Sequence, residues 1–320
     1  MRNFLLAFIA TVLLITVPAC NDNDEHGQGY TGGSSDEPVS LVVSTDIAAS
    51  TRSTKGVISS FPANSQLGLF LTRAGNPDNI FNWYGPGENI LSTYNGWHWI
   101  QEPHVLLGTE PVTVLAYYPY KSGNYNGRSI PVEHVSQTDY MYSSRDEGDQ
   151  EVNRYHPEVY LTMKHALALV QFNIFKINYP YDRTIRSIEI MNSYSSIPTL
   201  YSAGTMDIST GKITNKNGAH ESAIWENDGR IQVGNGPSGN EEDCARLLVM
   251  PMQKTTGYGH VSVRFDFEGE ILTWVVPEGT EWKSGTKNTY TIFISGKELY
   301  VGGVFVEPWS PGIEEMHPLD

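Results

Sequence analysis

Apolar residues in this chain recur at every second position, with polar or small residues between them. Val39, Leu41 and Val43 show the pattern near the start, and Tyr290 and Ile292 show it near the end. This alternation is typical of a β-strand that buries one face. Strand-like segments also cover residues 67–71, 112–118, 166–177, 185–190, 245–250, 261–267 and 271–276.

Turn-forming residues separate these segments, and no stretch has the periodicity of an amphipathic helix of three turns. Many of the 30 glycines and 18 prolines lie in the intervening clusters, as at residues 75–78 and 84–87. The pattern predicts an all-β protein of antiparallel strands arranged as sandwiches. We place a domain boundary near residue 163, which predicts one β-sandwich over residues 38–163 and another over residues 164–320.

The first residues of the chain indicate export. Residues 4–17 form a nearly unbroken apolar run of 14 residues, which is too short to cross a bilayer and is typical of a signal peptide. Cys20 follows a small residue, which predicts a lipoprotein signal peptide over residues 1–19 and lipid on the Cys20 thiol. An ordinary secretory peptide with Cys20 unmodified is the alternative. Residues 20–37 have the composition of a flexible tether.

Charge and cysteine content narrow the classes of partner and the source of stability. The chain has 36 acidic and 21 basic residues, for a net charge of −15. Such a chain is repelled by phosphate backbones, which argues against nucleic acid as a partner. With Cys20 lipidated, Cys244 has no cysteine partner, so stability must come from burial. Cys244 lies at the start of an apolar strand and is interpreted as a small buried residue.

The sequence shows no local motif for catalysis or metal binding. Its nine histidines never lie two or four residues apart, and it has no nucleophile elbow, phosphate loop or dinucleotide fingerprint. Adjacent acids at residues 241–243 and 314–315 are more typical of a solvated surface than of a glycosidase pair. We therefore predict no enzyme activity, no metal and no cofactor.

Trp97 and Trp99 are separated only by His98, which would place both indoles on one face of a strand. One interpretation buries both rings in a sandwich core, with His98 outside. The other leaves them exposed, where they would contact a ligand by stacking on sugar rings. Burial is the favoured interpretation.

Arg52 lies in a stretch of small and polar residues directly after the first strand. Exposed segments of this kind are where proteases cut. Cleavage there would separate Arg52 from Ser53, whereas the alternative is an ordinary exposed arginine in a loop.

Taken in order, several segments resemble the fimbrillin family, the lipoprotein-derived (type V) pilins of anaerobic Gram-negative bacteria. The leader with Cys20 comes first, and an opening strand that ends in Thr51-Arg52 follows it. The other segments are Leu-Gly-Leu-Phe at 67–70, Ala-Tyr-Tyr-Pro-Tyr at 116–120, His-Ala-Leu-Ala at 165–168, Val-Gln-Phe-Asn-Ile at 170–174, residues 282–285 with 290–292, and residues 304–309. Together they span nearly the whole mature chain.

The resemblance implies two stacked transthyretin-like β-sandwiches and export to the outer membrane through lipid on Cys20. In polymerising members of the family, a protease cuts after an arginine in the loop that follows the first strand. Arg52 and Ser53 occupy the matching position in this chain.

The strand lost by such a cut would contain Val39, Leu41 and Val43. A strand from the C-terminal segment of a neighbouring subunit would replace it by donor-strand exchange. Residues 300–306 are the best donor in this chain, because prolines interrupt residues 308–318.

The implied function is a pilus subunit or tip adhesin at the cell surface that supports cell adhesion. Its partners would be other pilin subunits and host glycans or proteins, and shaft, tip and anchor positions all stay open. The alternative is a monomeric surface lipoprotein that binds glycans through exposed aromatics such as Trp97, Trp99 or Tyr117.

Overall fold

The computed structural model describes residues 39–47, 58–74, 87–143, 152–177, 184–193, 198–227, 244–296 and 298–309. These residues form twenty β-strands and no helix. Within this part of the chain there is accordingly no helix long and apolar enough to cross a membrane. The prediction of an all-β protein is confirmed.

The first ten strands are β1 (Val39–Ser40), β2 (Val42–Ile47), β3 (Gln66–Arg73), β4 (Ile90–Tyr94), β5 (Trp99–Glu102), β6 (Leu106–Leu107), β7 (Val112–Tyr118), β8 (Ile130–Glu133), β9 (Met141–Ser143) and β10 (Glu158–His165). The other ten are β11 (Ala168–Lys176), β12 (Ser187–Asn192), β13 (Ala203–Met206), β14 (Ile213–Asn217), β15 (Ala223–Glu226), β16 (Ala245–Val249), β17 (Val261–Phe267), β18 (Glu270–Val275), β19 (Thr286–Ser295) and β20 (Glu298–Pro308).

The strands of the described residues assemble into five sheets. The largest has seven strands in the order β2-β10-β9-β7-β3-β4-β5. Two four-stranded sheets have the orders β16-β11-β19-β20 and β15-β12-β17-β18. A three-stranded sheet, β14-β13-β8, and the β1-β6 pair complete the set.

The prediction of antiparallel pairing holds for most pairs of strands but is wrong for two of them. β2 runs parallel to β10, and β11 runs parallel to β19. The polarity pattern of a strand reports which of its faces is buried and carries no information about the direction of its neighbour. Parallel neighbours need a long connection, and both of these pairs have many strands between them in sequence.

The seven-stranded sheet curls until its two edge strands approach each other. β2 and β5 are the ends of the sheet, yet the indole nitrogen of Trp99 in β5 donates a hydrogen bond of 2.9 Å to the hydroxyl of Thr45 in β2. The sheet thereby wraps around the side chains on its inner face.

Buried apolar side chains form three clusters. The N-terminal core lies within the curled sheet and includes Leu69. The C-terminal core lies between the two four-stranded sheets and includes Phe172 and Phe265. The junction core includes Phe70 of β3 and Leu169 of β11, so it contains residues from both sides of residue 163. The tandem transthyretin-like arrangement and its boundary stay predictions.

The glycine of the Leu-Gly-Leu-Phe segment is explained by its neighbour across the sheet. Gly68 pairs with Tyr117 of β7, and a Cβ at position 68 would overlap the Tyr117 ring. The Tyr117 hydroxyl then donates to the side-chain oxygen of Asn89 at 2.6 Å. Only glycine leaves room for this ring, because it has no side chain.

Two further pairs of the segments that carry the resemblance also meet in the fold. Trp282 donates its indole N–H to the Tyr290 hydroxyl at 2.9 Å. The rings of His165 and Trp309 stack with their centroids 3.7 Å apart and an interplanar angle of 8°. These residues of the segments are therefore in contact in the folded chain.

Candidate functional site: the first strand, its groove and the last strand

Cys20, Arg52 and Ser53 lie outside the described residues. Lipidation of Cys20 and processing between Arg52 and Ser53 therefore stay predictions. The first strand and both tryptophans lie within the described residues, and the structure places each of them.

The first strand changes partner at Leu41, which links β1 to β2. On one side, β1 pairs antiparallel with β6, and the Leu41 N–H donates to the Val105 carbonyl at 2.9 Å. On the other side, the Val42 N–H donates to the Pro157 carbonyl at 2.9 Å and begins the parallel ladder with β10. From Val42 onward, β10 is the one strand of the described residues that pairs with it.

β2 is an edge strand of the described sheet. Leu41, Val43 and Ile47 turn inward and are buried, as the alternation predicts for the first two. Val39 is 38% exposed, because it lies at the start of the strand, in a two-residue pairing with β6. Alternation identifies inward positions, but it does not reveal where a strand lies in its sheet.

Two interactions stabilise β2 in its position. One is the six-residue ladder to β10, and the other is burial of Leu41, Val43 and Ile47, each worth about 1.5–3 kcal/mol when complete. An edge strand leaves its sheet without breaking a second ladder. Removal of β2 would uncover the part of the N-terminal core that these side chains cover.

A groove of about 550 Å³ runs along the edge of β2 that faces away from β10, an edge with no strand partner among the described residues, and we call it the β2 groove. Residues 41–47 form one wall. The opposite wall contains Ser59, Ser60, Phe61 and Tyr94, together with residues 97–99 of the turn that leads into β5. Its lining therefore combines hydroxyl groups, aromatic rings and strand backbone.

Trp99 closes the bottom of the β2 groove. Its side chain is 6% exposed and contacts Phe61 edge-on, with ring centroids 5.2 Å apart, and Tyr94 at 5.1 Å. Its indole N–H binds Thr45. The interpretation of Trp99 as a core residue agrees with this burial.

Trp97 lies at the rim of the groove and is 84% exposed. The prediction that it shares a strand face with Trp99 is wrong, because β5 begins at Trp99 and residues 95–98 form a turn. The side-chain oxygen of Asn95 accepts the backbone N–H groups of Trp97 at 2.9 Å and His98 at 2.8 Å. Alternation applies only within a strand, so the turn separates the two rings.

Tyr117 is not an exposed ligand contact. It is fully buried in the junction core. Burial raises the pKa of its hydroxyl, although hydrogen bonds from its surroundings, including Lys121 and Asn124, act in the opposite direction.

The last strand, β20, is an edge strand of its four-stranded sheet with unusually exposed apolar side chains. Phe305 is 63% exposed, and Val304 and Val306 are also exposed. Val304 pairs with Tyr290, so Val304 and Val306 lie on the inner face of the sheet, beside a groove of about 640 Å³ that Trp274 also lines. Long apolar edge strands are prone to pair with another chain.

Two buried side chains of the described residues have strongly shifted pKa values. Burial raises the pKa of Tyr140 to about 12, and the neighbouring charge of Glu133 adds to this. Burial lowers the pKa of His134 to about 4.

Cys244 is buried and lies 2.6 Å from the Asn173 side-chain oxygen, in agreement with its interpretation as a small buried residue. No group of three or more potential metal ligands occurs among the described residues.

The sequence matches the profile of the fimbrillin-like family over residues 51–309. The chain belongs to the fimbrillin-like family. This match covers most of the 320 residues and confirms the resemblance noted in the sequence. No match is found among curated proteins.

Solved structures share the fold of this fimbrillin-like chain at low sequence identity. A candidate cell adhesion protein from Bacteroides uniformis ATCC 8492 is 20% identical, with a TM-score of 0.61 over 85% of this chain and 99% of that one. Another from Bacteroides ovatus ATCC 8483 is 13% identical, with a TM-score of 0.60 over 85% and 98%. A fimbrial protein from Bacteroides vulgatus ATCC 8482 is 15% identical, with a TM-score of 0.50 over 84% and 99%.

The sequence of this fimbrillin-like chain gives no indication of one buried polar contact. One Asp139 carboxylate oxygen accepts the Ile58 N–H at 2.9 Å, and the other lies 2.9 Å from Nδ1 of His165. His165 in turn stacks on Trp309, and both the Asp139 and His165 side chains are buried. His165 lies in a segment singled out in the sequence, but nothing local to Asp139 indicates its partners, which are 81 and 26 residues away.

Proposed function

We propose that this fimbrillin-like chain is a pilus subunit or tip adhesin of the cell surface. In this proposal it is exported to the outer membrane as a lipoprotein through Cys20 and supports adhesion. Cleavage between Arg52 and Ser53 releases the first strand, and donor-strand exchange with other pilin subunits fills the space that it leaves.

The observation that carries the proposal is the position of β2 at the edge of its sheet, with Leu41, Val43 and Ile47 buried. Such a strand is removable as a unit, and its removal uncovers apolar surface that needs a replacement. Arg52 follows five positions after Ile47, the last residue of β2.

The residue contacts on the other side of the predicted cut support the same proposal. Ile58, five positions after Ser53, binds the buried Asp139 carboxylate through its backbone N–H. A cut between Arg52 and Ser53 therefore separates β2 from a chain that stays attached to the fold at Ile58.

β20 offers the replacement strand. Val304 and Val306 are exposed at alternate positions, which matches the spacing of Leu41 and Val43. In β-augmentation, alternate side chains fill pockets while the main chain supplies the ladder.

Intact-mass and N-terminal analysis of protein from its native cell surface tests the proposal. We expect the wild-type chain to begin at Ser53 and to migrate as ladders that survive mild denaturant. Arg52→Ala should keep lipidated Cys20 and lose the ladders, whereas Arg186→Ala, at an exposed arginine elsewhere, should behave as wild type. A wild-type chain that begins at lipidated Cys20 and forms no ladder would contradict strand exchange.

A further inference from the structure

The exposed Trp97 lies in a turn that is closed by hydrogen bonds. The Asn95 side chain accepts the N–H groups of Trp97 and His98, and the Asn95 N–H donates to the His98 carbonyl at 3.0 Å. These three hydrogen bonds fix the backbone of the turn that carries Trp97, and Trp97 lines the β2 groove.

Polar residues line both walls of the β2 groove. Ser59, Ser60 and Thr45 carry hydroxyl groups, and Asp46 also lines the groove, with one carboxylate oxygen accepting the Ile47 N–H at 2.8 Å. The Thr45 oxygen accepts the Trp99 N–H, which leaves the hydroxyl proton of Thr45 available as a donor.

The free edge of β2 adds backbone donors and acceptors. Successive residues of a strand point their N–H and C=O groups to opposite sides. Val42 points toward β10, where it binds Pro157. The N–H and C=O groups of Val43 and Thr45 therefore point toward the groove.

We infer that the β2 groove binds a neutral oligosaccharide, with the Trp97 ring stacked on one sugar. An aromatic face beside hydroxyl groups and unpaired strand backbone is the combination that suits a sugar, which has apolar ring faces and polar edges. The groove volume of about 550 Å³ suits roughly two or three sugar rings, since ligand sites span about 300–1,000 Å³.

Charge selects neutral sugars over acidic ones. The chain has a net charge of −15, and Asp46 lies in the wall of the groove. A sialylated or sulfated sugar would be repelled on approach and again at the site.

An added β-strand is the other occupant that a free edge attracts. A strand needs apolar pockets for its alternate side chains, but Leu41 and Val43 are already turned inward and buried. The rim of the groove carries one large ring, that of Trp97, together with polar groups. This lining favours a sugar over an added strand.

The site also depends on processing, and this part of the inference rests on the proposed function. β2 forms one entire wall of the groove, so loss of residues 39–47 after cleavage at Arg52 removes the site. Unprocessed chains would bind the sugar and processed chains would not.

A glycan array probed with the purified, uncleaved chain from Cys20 to Asp320 tests the inference, followed by calorimetry on the strongest neutral ligand. The array carries neutral and sialylated oligosaccharides. Trp97→Ala should weaken binding by about tenfold or more, which is about 1.4 kcal/mol, and Trp97→Phe should retain most of the affinity. Tyr258→Ala removes an aromatic ring that is 76% exposed away from the groove, and it should change nothing.

Several results would overturn the inference. These are an absence of neutral ligands, binding restricted to sialylated sugars, or a Trp97→Ala chain that binds like wild type. Binding of a synthetic peptide with the sequence of residues 298–308, without sugar binding, would assign the groove to a strand instead. Sugar binding by a chain that begins at Ser53 would overturn the dependence on processing.

Failure of the sugar-binding inference can be distinguished from failure of the proposed function. Ladders from native cells without sugar binding would reject the sugar site alone. Sugar binding that depends on Trp97, in a protein that never forms ladders, would reject strand exchange alone.

Discussion

Trp99 donates its indole N–H to the Thr45 hydroxyl over 2.9 Å, and this hydrogen bond joins the two edge strands of the seven-stranded sheet. Thr45 belongs to β2 and Trp99 to β5, which are the opposite ends of the strand order. The contact therefore joins β2, the strand that is removed in the proposed function, to the opposite wall of the β2 groove.

A double-mutant cycle measures this contact. Trp99→Phe and Thr45→Val each remove one partner of the hydrogen bond, and the coupling free energy should be about 1 kcal/mol. Urea unfolding of the wild type, the two single variants and the double variant provides the measurement. A coupling near zero would show that the hydrogen bond contributes nothing to the attachment of β2.

Gly68→Ala should destabilise the fold, because the new Cβ would overlap the buried Tyr117 ring. Overpacking of this kind costs about 1–3 kcal/mol. Gly303→Ala is the matched control, since a Cβ at that strand position meets no atom within 4 Å. Thermal or urea unfolding should show a loss for Gly68→Ala and little change for Gly303→Ala, and equal stability of the two variants would contradict the explanation.

Stability should fall in mild acid because of His134. Its side chain is buried and its Nδ1 accepts the Met250 N–H at 3.2 Å; burial lowers the pKa of His134 from 6.5 to about 4. The unfolded chain therefore takes up the proton first as pH drops, and the contribution present above pH 6.5 is lost progressively toward pH 4.

His134→Asn isolates this contribution, since asparagine retains an acceptor near the position of Nδ1 but does not titrate in this range. Between about pH 7.5 and about pH 5, the free energy of unfolding should fall by about 2 kcal/mol more in the wild type than in the variant. Urea unfolding at both pH values provides the comparison. An identical pH dependence in the two proteins would exclude His134 as the source.

Asp139→Asn should destabilise the protein, because the Asp139 carboxylate serves both Ile58 and His165 from a buried position. Loss of a hydrogen bond to a charged group costs about 1.5–3 kcal/mol. Glu278→Gln makes the same chemical change at an exposed position and should leave the unfolding free energy within about 0.5 kcal/mol of wild type. Hydrogen exchange at the Ile58 amide should also accelerate in Asp139→Asn alone.

The exposed apolar side chains on both faces of β20 should matter for assembly more than for folding. Val304→Thr and Phe305→Thr alter side chains that are largely in water, so each should change the unfolding free energy by no more than about 0.5 kcal/mol. Both should reduce ladder formation on the native surface. Ile271→Thr, at an exposed apolar position of β18, is the control, and an equal loss of ladders in all three variants would remove β20 from the assembly interface.

The periodicity of the chain predicted several strands that bury one or both faces, but it missed β10, although β10 buries Leu161 and Met163. The predicted segment 112–118 coincides with β7, and segment 245–250 contains β16. Short strands such as β8 and β9 were missed, because three or four residues are too few for an alternation to stand out.

Sequence alone therefore established the strand-rich class, the inward positions Leu41 and Val43, and the family, because side-chain polarity records which face of a strand is buried. It could not establish that β2 runs parallel to β10 at a sheet edge or that Trp97 is exposed while Trp99 is buried. Nor could it bring Asp139 together with Ile58, His165 and Trp309. Those features depend on which distant segments meet, and contacts between distant segments leave no periodic trace along the chain.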